Sequence, residues 1–426
     1  MAEKKRKYFR EDNFFNIPES GDIVPLKFLC LEYSKYGANE AAEEENPEDP
    51  RYIRITDIDE KGSLRNDTFK SLSLDIAESY LLQNGDVLFA RSGATVGKTF
   101  LYKSIYGPAV YAGYLVKYRL DLTKCSSEFI YYCTKSKEFE NWLKYTIIEA
   151  TIENISGEKY ANLPLPLPSL TQQNKIVDYL DNELSKIDAL IETKTQLITI
   201  LEEKKKAVIN QAVTKGLDPN VLMKASGIEW LGEIPEHWEV VKLKYLVSKI
   251  DELNEFDVDL KIAVENIEGF SGKLIDLKNF NYEGSTSKFK INDIIFNKLR
   301  PYLGKVYLAE QEGGVYGELL VLRPLEELVP KFLFYTMISA KFINLVNSST
   351  TGAKMPRASW DDFIKNIFIP IIPKEEQQTI VEYLDKTLIE NSQLSIKLIN
   401  SIELLKEKRT AIISAAVNGG LNTSLS

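Results

Sequence analysis

Ile176-Val177-Asp178-Tyr179-Leu180-Asp181 returns 204 residues later as Ile380-Val381-Glu382-Tyr383-Leu384-Asp385. These stretches open two matching segments that run without a gap from Gln173 on Gln377 to Leu217 on Leu421, with 18 of 46 positions identical over residues 173–218. Ungapped identity of this length marks an internal duplication. In the first copy Ile176, Leu180, Leu184, Ile187, Ile191, Ile198, Leu201, Val208 and Ala212 follow helical spacing and form one apolar stripe. Ser169-Leu170-Thr171-Gln172 before it has the spacing of a capping box, and Gly216 after it can adopt a left-handed backbone. The stripe predicts a helix whose buried face runs roughly 57 Å at about 1.5 Å per residue, longer than a globular core requires.

Two such rods in one chain each leave an apolar seam, and an antiparallel coiled coil would bury both. The expected order is arm (1–168), rod (169–222), arm (223–373) and rod (374–426), with the arms related by a pseudo-twofold axis and placed at opposite ends.

Both arms read as compact α+β domains. In the first, Tyr52-Ile53-Arg54-Ile55-Thr56-Asp57-Ile58 alternates like a strand, Asn84-Gly85-Asp86 reads as a turn, and Val87-Leu88-Phe89-Ala90 as a short buried strand. Apolar residues between Phe129 and Trp142 fall at helical spacing. The second arm repeats the plan with less identity. Ile234-Pro235-Glu236 mirrors Ile17-Pro18-Glu19, Asp293-Ile294-Ile295-Phe296 mirrors Asp86-Val87-Leu88-Phe89, and Gly304-Lys305 mirrors Gly97-Lys98. Pro164, Pro166 and Pro168 in one arm, and Pro370 and Pro373 in the other, are expected to stop one element and aim the chain into the rod.

Composition removes several function classes. The 426 residues contain one histidine, His237, which has no second histidine for a proton relay or a zinc site, so a packing or solvent-facing role is expected. Cys30, Cys125 and Cys133 are odd in number and scattered, as in a reduced, cytoplasmic protein. No apolar run approaches a membrane span, and the Lys4-Lys5-Arg6-Lys7 start leads into no apolar signal region. Arg10 extends that basic block, which reads as a tail or as an arm lying on phosphates. Glu43-Glu44-Glu45-Asn46-Pro47-Glu48-Asp49-Pro50 reads as an exposed acidic loop. A net charge of −9 opposes nucleic-acid binding unless cations are gathered locally.

The arm–rod–arm–rod plan, together with two motifs, resembles the DNA-specificity subunit of a Type I restriction-modification enzyme. The motifs are Asp86-Val87-Leu88-Phe89-Ala90-Arg91-Ser92-Gly93-Ala94-Thr95-Val96-Gly97-Lys98 and Gly227-Ile228-Glu229-Trp230-Leu231-Gly232-Glu233-Ile234-Pro235-Glu236-His237-Trp238. The rod openings ending in Tyr179-Leu180-Asp181 and Tyr383-Leu384-Asp385 add to it. The resemblance implies two target-recognition domains that each read half of a bipartite, asymmetric site in double-stranded DNA. The long helices would set the spacing and dock two methyltransferase subunits, with restriction/translocase subunits joining the complex. It also implies no catalytic residues here, and S-adenosylmethionine, ATP and Mg only in partner subunits. The residues agree with that implication. Gly93-Ala94-Thr95-Val96-Gly97-Lys98 has three residues between its glycines where a nucleotide-binding loop has four, and no metal site is legible.

Arg91, Ser92, Thr95 and Lys98 in the first arm, and Lys298, Arg300, Tyr302 and Lys305 in the second, put cations and hydroxyls beside glycines that let backbone approach phosphate. Arg91 or Arg300 could also read guanine. The competing reading makes Lys98 and Lys305 solvated loop lysines. A second loop before each proline ladder offers Thr151, Asn154, Ser156 and Lys159, then Thr351, Lys354, Arg357 and Ser359. Lys204-Lys205-Lys206 and Lys408-Arg409 are expected to complement the helix dipoles. Tyr179, Leu190, Tyr383 and Leu394 are the candidates for subunit docking, against ordinary packing between the rods. The rival function is a coiled-coil protein-interaction scaffold with no nucleic acid, which the acidic balance favours.

Overall fold

The computed structural model describes residues 14–15, 21–42, 45–59, 62–148, 154–254, 258–277, 284–352 and 354–419. The basic block at Lys4–Lys7 with Arg10, the Ile17-Pro18-Glu19 motif, Glu43, Glu44 and Thr151 lie outside these residues. The chain divides into two compact units, one of residues 1–193 with 400–426 and one of residues 194–399. These cuts pass through the middle of both rods.

In chain order the elements up to the first rod are β1 (Gly21–Pro25), β2 (Lys35–Tyr36), β3 (Arg51–Ile53), α1 (Leu74–Ala77), β4 (Val87–Ala90), β5 (Thr99–Leu101), β6 (Ala109–Tyr111), β7 (Leu115–Tyr118), α2 (Ser127–Cys133), α3 (Lys137–Ile148), α4 (Gly157–Ala161), β8 (Pro164–Pro168) and the rod α5 (Leu170–Lys215). A four-stranded antiparallel sheet of order β2-β7-β4-β5 stands beside a parallel β3-β6 pair. All four residues of β4 are buried, because the strand is covered on both faces. Val87 and Phe89 face the core that includes α2, α3 and the start of the rod, whereas Leu88 and Ala90 face a second core with Ile53, Phe100 and Tyr111.

The strand expected over residues 52–58 is shorter than its alternation suggested. It ends at Ile53, and Ile55–Asp57 form a 3-10 turn, because the buried Asp57 carboxylate accepts from the Arg54 amide at 2.8 Å and from its guanidinium at 2.7 and 3.0 Å. The helical stretch from Phe129 to Trp142 is two helices. The break falls at the buried Ser136, whose hydroxyl accepts from the Phe139 amide and donates to the Cys133 carbonyl. The first proline ladder does more than stop an element. It is β8, which among the described residues pairs antiparallel with β1 alone, and its alternate prolines, which have no N–H to donate, fall on the same side of the strand. The three cysteines are free thiols, and burial pushes those of Cys30 and Cys125 up to about 12.

The second unit continues with β9 (Met223–Ala225), β10 (Glu233–Pro235), β11 (Glu239–Lys242), β12 (Val247–Ile250), β13 (Lys261–Ile262), β14 (Ser287–Phe289), β15 (Ile294–Asn297), β16 (Val306–Leu308), β17 (Gly313–Val315), β18 (Leu319–Pro324), α6 (Pro330–Ile338), α7 (Ala340–Ser348), β19 (Phe368–Ile371) and the rod α8 (Lys374–Val417). Its main sheet, β12-β18-β15-β16, repeats the order and antiparallel sense of the first. β15 is likewise buried on both sides. His237 faces solvent, its side chain 48% exposed, with Nε2 2.8 Å from Glu376 Oε2 while the adjacent Trp238 indole donates to Glu376 Oε1.

Each rod starts on its own arm by the same clasp. Gln173 is fully buried, accepts from the Ser126 amide at 2.8 Å and donates to the Pro168 carbonyl. Gln377 is also fully buried, accepts from Val329 at 2.7 Å and donates to Ile372. In the first unit the start of α5, through Leu180, Leu184 and Ile187, shares a core with Ile413, Ala416 and Val417 at the end of α8. Asp188 and Arg409 pair across them at 3.2 Å. In the second unit Ile209, Ala212 and Val213 at the end of α5 share a core with Ile380 and Leu384 at the start of α8. The helices are therefore antiparallel in both units. The expected capping box is present, with reciprocal Ser169–Gln172 contacts, and Gly216 has φ +74°.

The lysine triplet does not sit at a helix terminus. Lys206 lies nine residues before the end of α5 and its ammonium stands 5.4 Å from the Phe270 ring centroid, beyond the last turn over which a dipole acts. Arg409 is likewise inside its helix, committed to Asp188.

Candidate nucleic-acid interface

The two loops singled out in each arm are brought together. In the first arm the loop after β4 touches the loop before α4: the Ile155 amide donates to the Arg91 carbonyl at 2.8 Å, and Ser92 bridges Asn154. In the second, the Ala358 amide donates to the Lys298 carbonyl at 2.9 Å, and Leu299 bridges Arg357. A third loop, which the sequence did not single out, joins each junction. The Arg91 amide donates to Tyr114 and the Lys298 amide to Glu318, at 3.0 and 3.2 Å. Tyr114 and Glu318 each follow a glycine and lead directly into β7 or β18, and that shared Gly-turn-strand pattern is the signal that could have found them.

Where the side chains fall separates the candidates. Lys98 donates to the Ile58 carbonyl at 2.7 Å, and Lys305 donates to Val264 at 2.8 Å. The recurring Gly-Lys is thus a tie between a hairpin and a 3-10 turn, neither a solvated lysine nor an ammonium held out for phosphate. Burial also lowers the Lys305 ammonium from its ordinary range. Arg91 packs its guanidinium over the Tyr36 ring at 4.8 Å, with Nε buried. Lys298 stands 3.9 Å from Glu318, and Arg357 forms an ion pair with the same carboxylate. Lys159 is half-buried and reaches the Thr146 carbonyl at 3.5 Å. Arg300, Tyr302, Lys354 and Asn154 are exposed, with Tyr302 at 50%.

Arg300 takes a backbone that few arginines take. Its φ of 51° and ψ of 61° are left-handed, as φ is at Gly93, its counterpart in the first arm, at +71°. The conformation swings the loop so that the Arg300 amide meets the Pro356 carbonyl at 2.7 Å. In the first arm two of the three loops, through Ser92, Thr95 and Tyr114, border a cleft of about 400 Å³ that Tyr52, Arg54 and Thr56 also line.

The docking candidates do not form a uniform set. Tyr179 packs against the core of the first unit, whereas Leu190, Tyr383 and Leu394 are 50%, 44% and 46% exposed. Ile200 and Leu404, another repeat-related pair, are exposed as well. Among the described residues, no helix is long and apolar enough to cross a membrane.

Known proteins share this plan. The chain is 27% identical over 347 residues to the Type I restriction enzyme MjaVIII specificity subunit of Methanocaldococcus jannaschii, covering 77% of this chain and 78% of that one. The putative type I restriction enzyme MjaX specificity subunit of the same organism is 24% identical over 424 residues, covering 94% and 95%. The HsdS subunit from Thermoanaerobacter tengcongensis superposes with a TM-score of 0.55 at 18% identity, covering 95% of this chain and 98% of that one. A chain from a structural study of assembly and conformational transition in the type I R-M system superposes at 0.72 and 17% identity, covering 96% and 100%. These structural likenesses agree in fold with the duplicated arms and paired rods. The family described as "Type I restriction modification DNA specificity domain" matches twice, at residues 19–202 and 235–404, one match for each repeat. With both halves so matched, the chain belongs to the Type I restriction-modification DNA specificity family.

Proposed function

We propose that each arm reads one half of a bipartite, asymmetric DNA site, that α5 and α8 set the gap between the halves, and that the chain works as the non-catalytic subunit of a cytoplasmic complex. Two methyltransferase subunits would dock on the exposed apolar residues of the rods, with restriction/translocase subunits completing the assembly. S-adenosylmethionine, ATP and Mg would belong to those partners.

The observation that carries this reading is the recurrence of one three-loop junction in both arms, with different side chains on the same backbone plan. Identical scaffolds bearing unlike polar tips are what two readers of unlike sequences require. Arg300 and Lys354 supply cations for phosphate, and Tyr302, Asn154, Ser92 and Thr95 supply polar or aromatic contacts at the same face. The net charge of −9 is compatible with this if partner subunits supply much of the phosphate contact.

The test is selection from randomised duplexes by the chain co-assembled with methyltransferase subunits. Enrichment of two short motifs separated by a fixed unconstrained gap is expected. Binding that is absent, or that shows no sequence preference, contradicts the proposal and favours the scaffold reading.

A further inference from the structure

We propose that the residue bridging the strand-to-turn loop from the opposite loop is the base reader of its arm: Arg357, committed to guanine, and Asn154, committed to adenine. Glu318 acts as the positioning residue for Arg357. This rests on the DNA-recognition reading above and deepens it.

The two positions are equivalent by structure. Arg357 bridges Leu299, and Asn154 bridges Ser92. The residue after each donates its amide across the junction, Ala358 to Lys298 and Ile155 to Arg91. Arg357 is also held by reciprocal backbone hydrogen bonds with Thr351, at 3.1 and 3.2 Å. A side chain that is to discriminate bases needs a fixed root, and this one has it.

The chemistry at the tips differs as two readers' should. Arg357 keeps 54% of its side chain exposed while one terminal nitrogen donates to Glu318 Oε1. A guanidinium carries five N–H donors in a planar fork, so most are left for a ligand. Guanine presents O6 and N7 to that fork in the major groove. Holding a long side chain in place before binding removes part of the rotamer entropy that binding would otherwise cost. Glu318 is itself 28% exposed, and its Oε2 lies 3.9 Å from Lys298 Nζ. A carboxylate on a face meant for phosphate weakens general attraction, and orienting Arg357 gives its presence a purpose. In the first arm Tyr114 stands where Glu318 does, and the reader is an exposed asparagine. The carboxamide pairs with adenine N6 and N7, and an amide needs no ionic anchor. Among the described residues no carboxylate clamps Arg300 or Lys354, and both suit phosphate.

The experiment is sequence selection by the full chain assembled with its methyltransferase partners, repeated for R357A, E318Q and N154A. The wild-type assembly should require guanine at one position of one half-site and adenine at one position of the other. R357A should cut preference for that guanine about tenfold to a hundredfold and leave the other half-site intact. E318Q should weaken the same preference by a smaller factor with little change in the salt dependence of binding. N154A should act only on the adenine. If R357A selects the same sequence as wild type, or if R357A and E318Q weaken binding to all sequences alike, the assignment is wrong. A wild-type assembly that selects no sequence overturns the underlying DNA-recognition reading as well.

Discussion

Arg119 closes on Asp86 through two nitrogen–oxygen contacts of 2.9 and 2.8 Å, and Arg323 closes on Asp293 in the same manner at 2.8 and 2.7 Å. Each aspartate side chain is 1% exposed and also accepts an amide hydrogen bond from three residues upstream, Gln83 or Lys290, at 2.8 Å. The pair fastens the turn before the central strand to the end of the neighbouring strand. Asp86→Ala takes from the Arg119 guanidinium its two shortest contacts, leaving it only Glu32 at 3.8 Å and the Leu81 carbonyl at 3.4 Å, frees the Gln83 amide, and should lower the stability of the first unit by about 3 kcal/mol. Urea denaturation of D86A and D293A checks this, and D293A should act on the second unit.

Ser414 Oγ accepts from the Lys137 amide at 2.8 Å, and the repeat-related Asn210 Oδ1 accepts from Lys341 at 3.1 Å. Each rod end thus caps a helix of the arm that it does not follow in sequence. Ser414→Ala should cost about 1 kcal/mol and speed amide exchange at the start of α3, more than 270 residues away in the chain. Asn210→Ala should do the same at α7. Exchange confined to the mutated rod would count against this arrangement.

The rods were legible because helical periodicity and a duplication speak through local spacing. Leu180, Leu184 and Ala212 are buried as their stripe requires, and Ile198 and Leu201 near the middle are half-buried. The central strands were legible for the same reason, a run of four apolar residues after a turn. The junction was not legible as a whole. Residues 91, 114 and 155 meet through main-chain hydrogen bonds, which leave no mark on side-chain pattern. Lys98 misled because a lysine beside glycine reads alike whether its ammonium meets a phosphate or a carbonyl of its own chain. The strand over residues 52–58 failed because Asp57 turns back on Arg54, a contact that alternation does not encode.

Lys135 offers a dependence on pH. Its ammonium donates to the Thr99 carbonyl at 3.0 Å and lies 4.6 Å from the Tyr131 ring centroid. Burial, with Arg409 and Lys98 nearby, lowers it to about 7. Unfolded lysine titrates near 10.4, so between about pH 7 and 10 the unfolded chain binds the extra proton and stability should rise with pH. Lys135→Met should remove that slope in denaturation measured across the window.

Arg300 in a left-handed conformation costs about 1 kcal/mol that a glycine there would not. Arg300→Gly should raise the stability of the second unit while weakening DNA binding, and thermal melting beside binding titration separates the two. A variant that melts lower would show that the arginine side chain holds the loop.

The independence of the two arms is tested most directly by exchange. Residues 21–168 are replaced by the corresponding arm of a related specificity subunit, and the methylated sites of the assembled complex are mapped. One half of the recognition sequence should change, while the other half and the gap between them stay as they were. A change in both halves, or in neither, would contradict two separate readers on a common pair of helices.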